Sequence, residues 1–181
     1  MRDTCTVTNK STGRVVYKVP DLNIRREFRP RETKKEIAVK ELEGLAAQAG
    51  GRVILYNYLM IHEKDVIEYL INGEVAPEYW LTEEKIPEWM NSCPLDEFKD
   101  ALDFAPQGTK DLIRKYAVSL PLNDYSKRQA IKDILGFDVT MAIENLGNED
   151  ESSTSTVKTN ARRTTSSIKA PTSPVTIKKD Q

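Results

Sequence analysis

Cys93–Gly147 reads CPLDEFKDALDFAPQGTKDLIRKYAVSLPLNDYSKRQAIKDILGFDVTMAIENLG, and its punctuation decides the fold. The stretch divides into four short helices, each with start and stop signals and one apolar face. Ser92 or Cys93 is placed to cap the first, with Pro94 at its opening position, where the missing N–H is harmless. Leu95, Phe98, Leu102 and Phe104–Ala105 make the inward side, while Asp96, Glu97, Lys99, Asp100 and Asp103 stay in water. Pro106 ends that helix and opens the next, whose inward set is Leu112, Ile113, Tyr116 and Ala117. Asn123 then caps a helix carrying Ala130, Ile131, Ile134 and Leu135, stopped by Gly136. Asp138 caps the last, with Met141, Ala142, Ile143 and Leu146 inward and Gly147 as its stop. The joins are short, as in a compact helical unit.

Ahead of this region lies a different texture. Thr4–Thr8 and Arg14–Val19 alternate in polarity around the connection NKSTG, a hairpin signal, and Pro20 stops the second run. Asn23–Phe28 and Thr33–Val39 are expected to form a second pair around the turn Arg29-Pro30-Arg31-Glu32. Three or four short strands cannot stand alone and must pack on helices. Val39–Ala49 supplies the first helix, closed by Gly50-Gly51, and Glu63–Ile71 another, closed by Asn72-Gly73. Between them Arg52–Ile61 is almost continuously apolar, fitting a helix slightly better than a buried strand. Thr82 is expected to cap a short helix distorted by Pro87.

The expected fold is therefore α+β. Residues 1–40 form a basic β unit, 41–92 an acidic helical segment and 93–147 the four-helix segment. Residues 1–147 would make one domain or two small lobes. Residues 148–181 are rich in Ser, Thr, Lys and Arg, with too few large apolar side chains to offset the entropy of ordering, and read as a disordered tail.

The net charge of −1 conceals a segregation: 11 Lys+Arg against 5 Asp+Glu in residues 1–40, and 4 against 13 in residues 41–100. Such blocks attract each other, identical copies or a polyanion. The two cysteines, Cys5 and Cys93, form no CxxC pair and suit a reducing compartment. The first residues lack a signal-peptide core and no apolar run approaches a membrane span, so a soluble cytoplasmic protein with no membrane partner is expected.

Candidate chemistry is sparse. The single histidine, His62, would need Cys93 or Cys5 as a nucleophile, and no local signature joins them; a cap or surface role is expected. Cys93, beside a helix start, would feel the dipole that favours thiolate. Asp96, Asp100 and Asp103 lie at i, i+4 and i+7, hence on one helix face, and read as an acidic docking face rather than a metal site. Gly50-Gly51 has no Walker lysine or GxGxxG around it. No catalytic, cofactor-binding or metal-ligating residue is assigned. The strongest functional signal is Arg25, Arg26, Arg29, Arg31, Lys34 and Lys35, six cations on a β-turn-β element that would grip a polyanion or a protein partner. The tail's Lys158, Arg162, Arg163, Lys169, Lys178 and Lys179 would add to a non-specific grip.

Two blocks, RVVYKVPDLNIRREFRPRETKKEIAVKELEGLAAQAGG and LDEFKDALDFAPQGTKDLIRKYAVSLPLNDYSKRQAIKDILGFDVTMAIEN, resemble small, largely uncharacterised proteins encoded by tailed phages and prophages of Gram-positive bacteria. The resemblance covers about residues 10–147. It implies a phage setting, with virion or assembly roles favoured over metabolism, and it transfers no functional residue. Where a Pro-Gly turn is expected, this chain has Pro30-Arg31. The reading overall is a non-enzymatic structural or interaction protein with a protein partner or self-association, plausibly in a virion, and a nucleic-acid-associated protein is the alternative.

Overall fold

Five strands and eight helices are ordered β-β-β-β-α-α-β-α-α-α-α-α-α in the computed structural model, which describes residues 3–31 and 34–155, with side chains up to Gly147. The α+β class is as expected: four of the five strands lie at the front, the fifth follows the second helix, and the strands form two antiparallel sheets. The expected tail lies outside the described residues from 156 onward.

The strand pairing differs from expectation. β1 (Thr4–Asn9) is the centre of a three-stranded sheet, flanked by β4 (Lys35–Ala38) and β5 (Leu59–Ile61). β2 (Val15–Val19) pairs instead with β3 (Ile24–Phe28). Neither the β1–β2 hairpin nor a β3–β4 ladder forms. The reason lies in two turns. The Asn9 side chain accepts the Ser11 N–H at 2.8 Å and donates to the carbonyls of Gly13 (2.7 Å) and Phe28 (3.2 Å), closing a local loop that turns the chain out of the first sheet. Pro20–Leu22 form a single 3-10 turn, and Asn23, in the left-handed region at φ 52°, donates its N–H to the Pro20 carbonyl at 2.9 Å. Pro20 is thus the start of a turn rather than only the end of a strand.

β1 alternates as a strand should, with Cys5 and Val7 buried and Thr4, Thr6 and Thr8 turned away from the core. On the β2–β3 ribbon, Val15, Tyr17, Val19 and Phe28 turn inward, and Tyr17 stacks on Phe28 with centroids 6.1 Å apart. α1 (Val39–Ala46), α2 (Gly51–Asn57) and α3 (Lys64–Ile71) cover this layer with Leu42, Leu45, Leu55, Val66, Ile67 and Leu70. The corner between α1 and α2 admits only glycine at 51, because a Cβ there would lie 1.7 Å from the Leu45 carbonyl oxygen. Arg52–Ile61 is both of its alternatives in turn, a helix to Asn57 and then β5.

Tyr79 closes the first core from a 3-10 turn at Pro77–Trp80. Its buried hydroxyl accepts the Ile61 N–H at 2.8 Å and donates to the Leu59 carbonyl at 3.1 Å, capping backbone groups of β5. Tyr79→Phe would orphan both, and a loss of about 2 kcal/mol in urea unfolding is expected. A loss below about 0.5 kcal/mol would mean that water replaces the phenol.

The second core is helical. α4 (Ile86–Ser92), α5 (Leu95–Phe104), α6 (Gln107–Ser119), α7 (Tyr125–Leu135) and α8 (Val139–Ser155) bury Ile86, Met90, Phe98, Leu102, Leu112, Ile113, Ile131 and Val139. The four expected helices from Cys93 are present, with shifted ends. Pro94 itself occupies the N-cap position of α5, and Asp124, not Asn123, caps α7 by accepting the N–H groups of Ser126 and Lys127. Asp138 accepts the Met141 N–H at 3.1 Å, as expected of a cap. Thr82 opens a turn through its carbonyl rather than capping α4, which begins at Ile86. Gly147 does not stop α8, because a glycine ends a helix only when the chain leaves it there. Phe104, Met141 and Leu146, expected inward, are largely exposed.

The two cores meet at the start of α6. Asn57 Oδ1 accepts the Gln107 N–H at 2.9 Å, supplying from a distant element the cap that Pro106 cannot give. Gly108 allows the approach: a Cβ there would lie 2.7 Å from the Asn57 carbonyl oxygen and 3.0 Å from that of Lys10.

Candidate functional site

A cleft of about 560 Å³ opens where the strand layer faces the start of the helical region, lined by residues that include Arg31, Lys34, His62, Glu83, Lys85 and Tyr116. Strand alternation brings Thr8 to its wall, and β5 ends by delivering His62, whose N–H bonds the Thr6 carbonyl at 3.0 Å. The imidazole Nε2 and Thr8 Oγ1 are hydrogen-bonded at 3.2 Å. Burial, then the neighbouring Lys34 ammonium, push the imidazole pKa below its ordinary value, so the ring is neutral at pH 7.

Glu83 anchors the opposite wall. Its Oε1 accepts from Arg31 Nε at 3.1 Å, Lys115 Nζ at 3.0 Å and Tyr116 Oη at 3.0 Å. Partial burial alone would raise the carboxyl's pKa; these three bonds outweigh it and hold the group ionised below its ordinary value. Arg31 takes the position of the expected Pro-Gly turn in a glycine-like conformation, φ 56°. The bridge to Glu83 fastens that turn to the segment just ahead of α4 and, through the Lys115 and Tyr116 bonds to the same carboxylate, to α6. It offsets part of the left-handed backbone's cost, about 1 kcal/mol for a side chain with a Cβ.

The six cations of the basic segment have separate assignments. Arg26 makes a bidentate pair with the buried Glu41, Nε to Oε1 and a terminal nitrogen to Oε2, both 2.9 Å. Tyr17 Oη donates to the same Oε1 at 2.7 Å. Lys35 Nζ donates to the Glu27 carbonyl at 2.7 Å and lies 4.9 Å from the Phe28 ring centroid. Arg29 pairs with Glu27 at 3.6 Å, and Arg31 with Glu83. Arg25 and Lys34 are exposed. The segment is therefore largely a set of braces, and only Arg31 and Lys34 line the cleft. Asp96, Asp100 and Asp103 are all exposed on one face of α5, as their spacing requires.

The thiols are not brought to His62 as partners. Cys5 lies inside the first core, where burial, with Glu63 and Asp65 nearby, pushes its pKa up to about 12. Cys93 belongs to the second core, at the C-terminal end of α4, and burial raises its pKa too. The expected dipole effect on Cys93 is overruled by desolvation, which favours the neutral thiol. Among the described residues, no three His, Cys, Asp or Glu side chains are grouped to hold a metal ion. None of the described helices is long and apolar enough to cross a membrane.

Two functional-looking groups escaped sequence reasoning. Lys10 is 4% exposed, donates from Nζ to the Tyr79 carbonyl at 2.7 Å, and lies 3.3 Å over the Tyr79 ring. Burial pushes its pKa down to about 6, and the ring face does not reverse this. Glu41 is 2% exposed within its Tyr17–Arg26 network. A lone charged residue beside strand or helix signals looks the same in sequence whether exposed or buried. Comparison with known proteins found no matching family model, no similar curated protein and no similar solved structure.

Proposed function

We propose that the protein is a non-enzymatic interaction protein, a virion or assembly component of a tailed phage, made in the host cytoplasm and acting through protein–protein contacts. The observation that carries this reading is the use made of the basic segment. Arg26, Arg29, Arg31 and Lys35 are each engaged with a carboxylate or carbonyl of the same chain. A phosphate-gripping ribbon needs several cations free of internal anions, and of the six only Arg25 and Lys34 make no such contact among the described residues. The histidine and the two thiols, held apart and uncharged, give no nucleophile–base pair. Exposed apolar side chains on the helical part, Phe104, Leu120, Tyr125 and Met141, add surface that suits a protein neighbour.

Fluorescence anisotropy with short labelled DNA and RNA tests the reading against its nucleic-acid alternative. At about 0.15 M salt, no binding at micromolar protein is expected. Micromolar binding that weakens steeply with salt and disappears in Arg25→Glu would sink it.

A further inference from the structure

The outward face of the β2–β3 ribbon carries an arrangement that internal packing does not explain. Lys18 and Arg25 are direct cross-strand neighbours and both are exposed. Like charges placed opposite each other destabilise a sheet. Neither side chain has a hydrogen bond or ion pair among the described residues. Further along the same face, Glu27 is shared by Arg14 at 3.5 Å and Arg29 at 3.6 Å, so one carboxylate serves two guanidinium groups. Lys18 and Arg25 therefore stand on this face with no anion of their own among the described residues, and Val16 beside them is 36% exposed. On α5, Asp96, Asp100 and Asp103 form a stripe of the opposite sign with the exposed Lys99 at its edge. None of these carboxylates is engaged among the described residues, and Lys110 Nζ reaches only the Asp103 carbonyl, at 2.9 Å.

The two faces agree in length as well as in sign. Helical rise sets Asp96 and Asp103 about 10 Å apart along α5. Strand rise sets Lys18 and Arg14 about 13 Å apart along β2, a difference that long cationic side chains span. We propose that the ribbon face of one copy docks on the α5 stripe of a second copy of this chain. The contact is head-to-tail: it uses two different patches, so each copy keeps one free face of each sign, and repetition gives a ring or a filament. This inference rests on the protein–protein reading above and names its partner. A shared carboxylate at Glu27 would set the register, because an aspartate stripe avoids it and settles on Lys18 and Arg25.

Sedimentation velocity on the full chain provides the test, from about 0.05 M to about 0.5 M salt, since screening weakens exposed contacts across that range. The expected result is a weight-average mass that exceeds the 20.6 kDa monomer, grows with protein concentration at low salt and returns to the monomer at high salt. Lys18→Glu/Arg25→Glu and Asp96→Lys/Asp100→Lys should each weaken association by about a hundredfold or more, since both place like charges together. An equimolar mixture of the two variants should associate again, because each reversed face then meets its complement. All four positions are exposed, so the variants should keep the wild-type circular dichroism. A wild-type chain that is monomeric throughout, or one whose association survives either reversal, overturns this inference and leaves the broader reading standing. Salt-sensitive DNA binding lost in Lys18→Glu/Arg25→Glu would overturn both.

Discussion

Lys10→Met should make the protein more stable at pH 7, by about 2 kcal/mol, and should flatten its stability between about pH 6 and pH 9. The ammonium of Lys10 is unwelcome inside the first core: burial lowers its pKa from 10.5 to about 6. Between those two values the unfolded chain holds a proton that the native chain does not. Stability therefore rises with pH across that interval, and below the native pKa the penalty is present in full. At about 1.4 kcal/mol per unit, the penalty at pH 7 is on the order of 4–5 kcal/mol. Methionine removes it while keeping an apolar stem of similar length. Against this stands the Tyr79 carbonyl, which loses its 2.7 Å bond and goes unpaired, at about 1–3 kcal/mol.

The upper limit of the window is set by another group. The Cys5 thiol is raised from 9.0 to about 12, so above pH 9 the unfolded chain releases that proton first and stability falls. His62, also lowered from its ordinary value, adds a slope of the same sign near pH 6. The difference in urea unfolding between wild type and Lys10→Met, followed from about pH 6 to pH 9, therefore isolates Lys10. A wild-type stability that does not change over that range would show that the amine keeps its charge in the fold.

Glu41→Ala should destabilise the fold by about 3–4 kcal/mol, the largest loss expected from a single carboxylate here. The carboxylate is 2% exposed, and it organises Tyr17 and Arg26 around itself. Removal leaves the Tyr17 hydroxyl buried without an acceptor, while the Arg26 side chain, 43% exposed, can rehydrate. That asymmetry keeps the loss below that of a wholly buried ion pair. Glu41→Gln should cost less, about 2 kcal/mol, because an acceptor oxygen survives. Its more telling effect is on acid sensitivity. Burial tends to raise the Glu41 carboxyl, but the bonds from Arg26 and Tyr17 outweigh it and depress the native pKa below 4.5. The stabilisation is present above the unfolded value and lost as pH falls through the native one. Acid unfolding should therefore be less steep in Glu41→Gln. Equal steepness would mean that other carboxylates control the acid limb.

Much of the helical half was legible because its signals are local. Pro94, Pro106, Gly136 and Asp138 act through their own dihedrals or nearest neighbours, and the helices at 95–104, 107–119 and 125–135 lie where those signals put them. The strand pairing was not legible, although the strands were. Val15–Val19 and Ile24–Phe28 announce themselves by alternation, but which strand lies beside which depends on the loops. One Asn9 side chain closing on Gly13 and Phe28 redirects the chain, and nothing in its sequence neighbourhood separates that role from a plain turn. The basic segment shows the same division. Six cations are visible by counting, yet Glu41 and Glu83, which engage two of them, come from other parts of the chain.

The sequence by itself determined the α+β class, the four strands at the front and the helices from 95 onward, because these follow from period, punctuation and composition read over a few residues. Tertiary structure alone decided that β1 lies between β4 and β5, that Lys10 and Glu41 are buried, and that Arg31, Lys34 and His62 share one cleft. Each of these depends on residues far apart in the chain meeting in one dielectric environment. Burial and distance set the state of a charge, and neither is written in its neighbours.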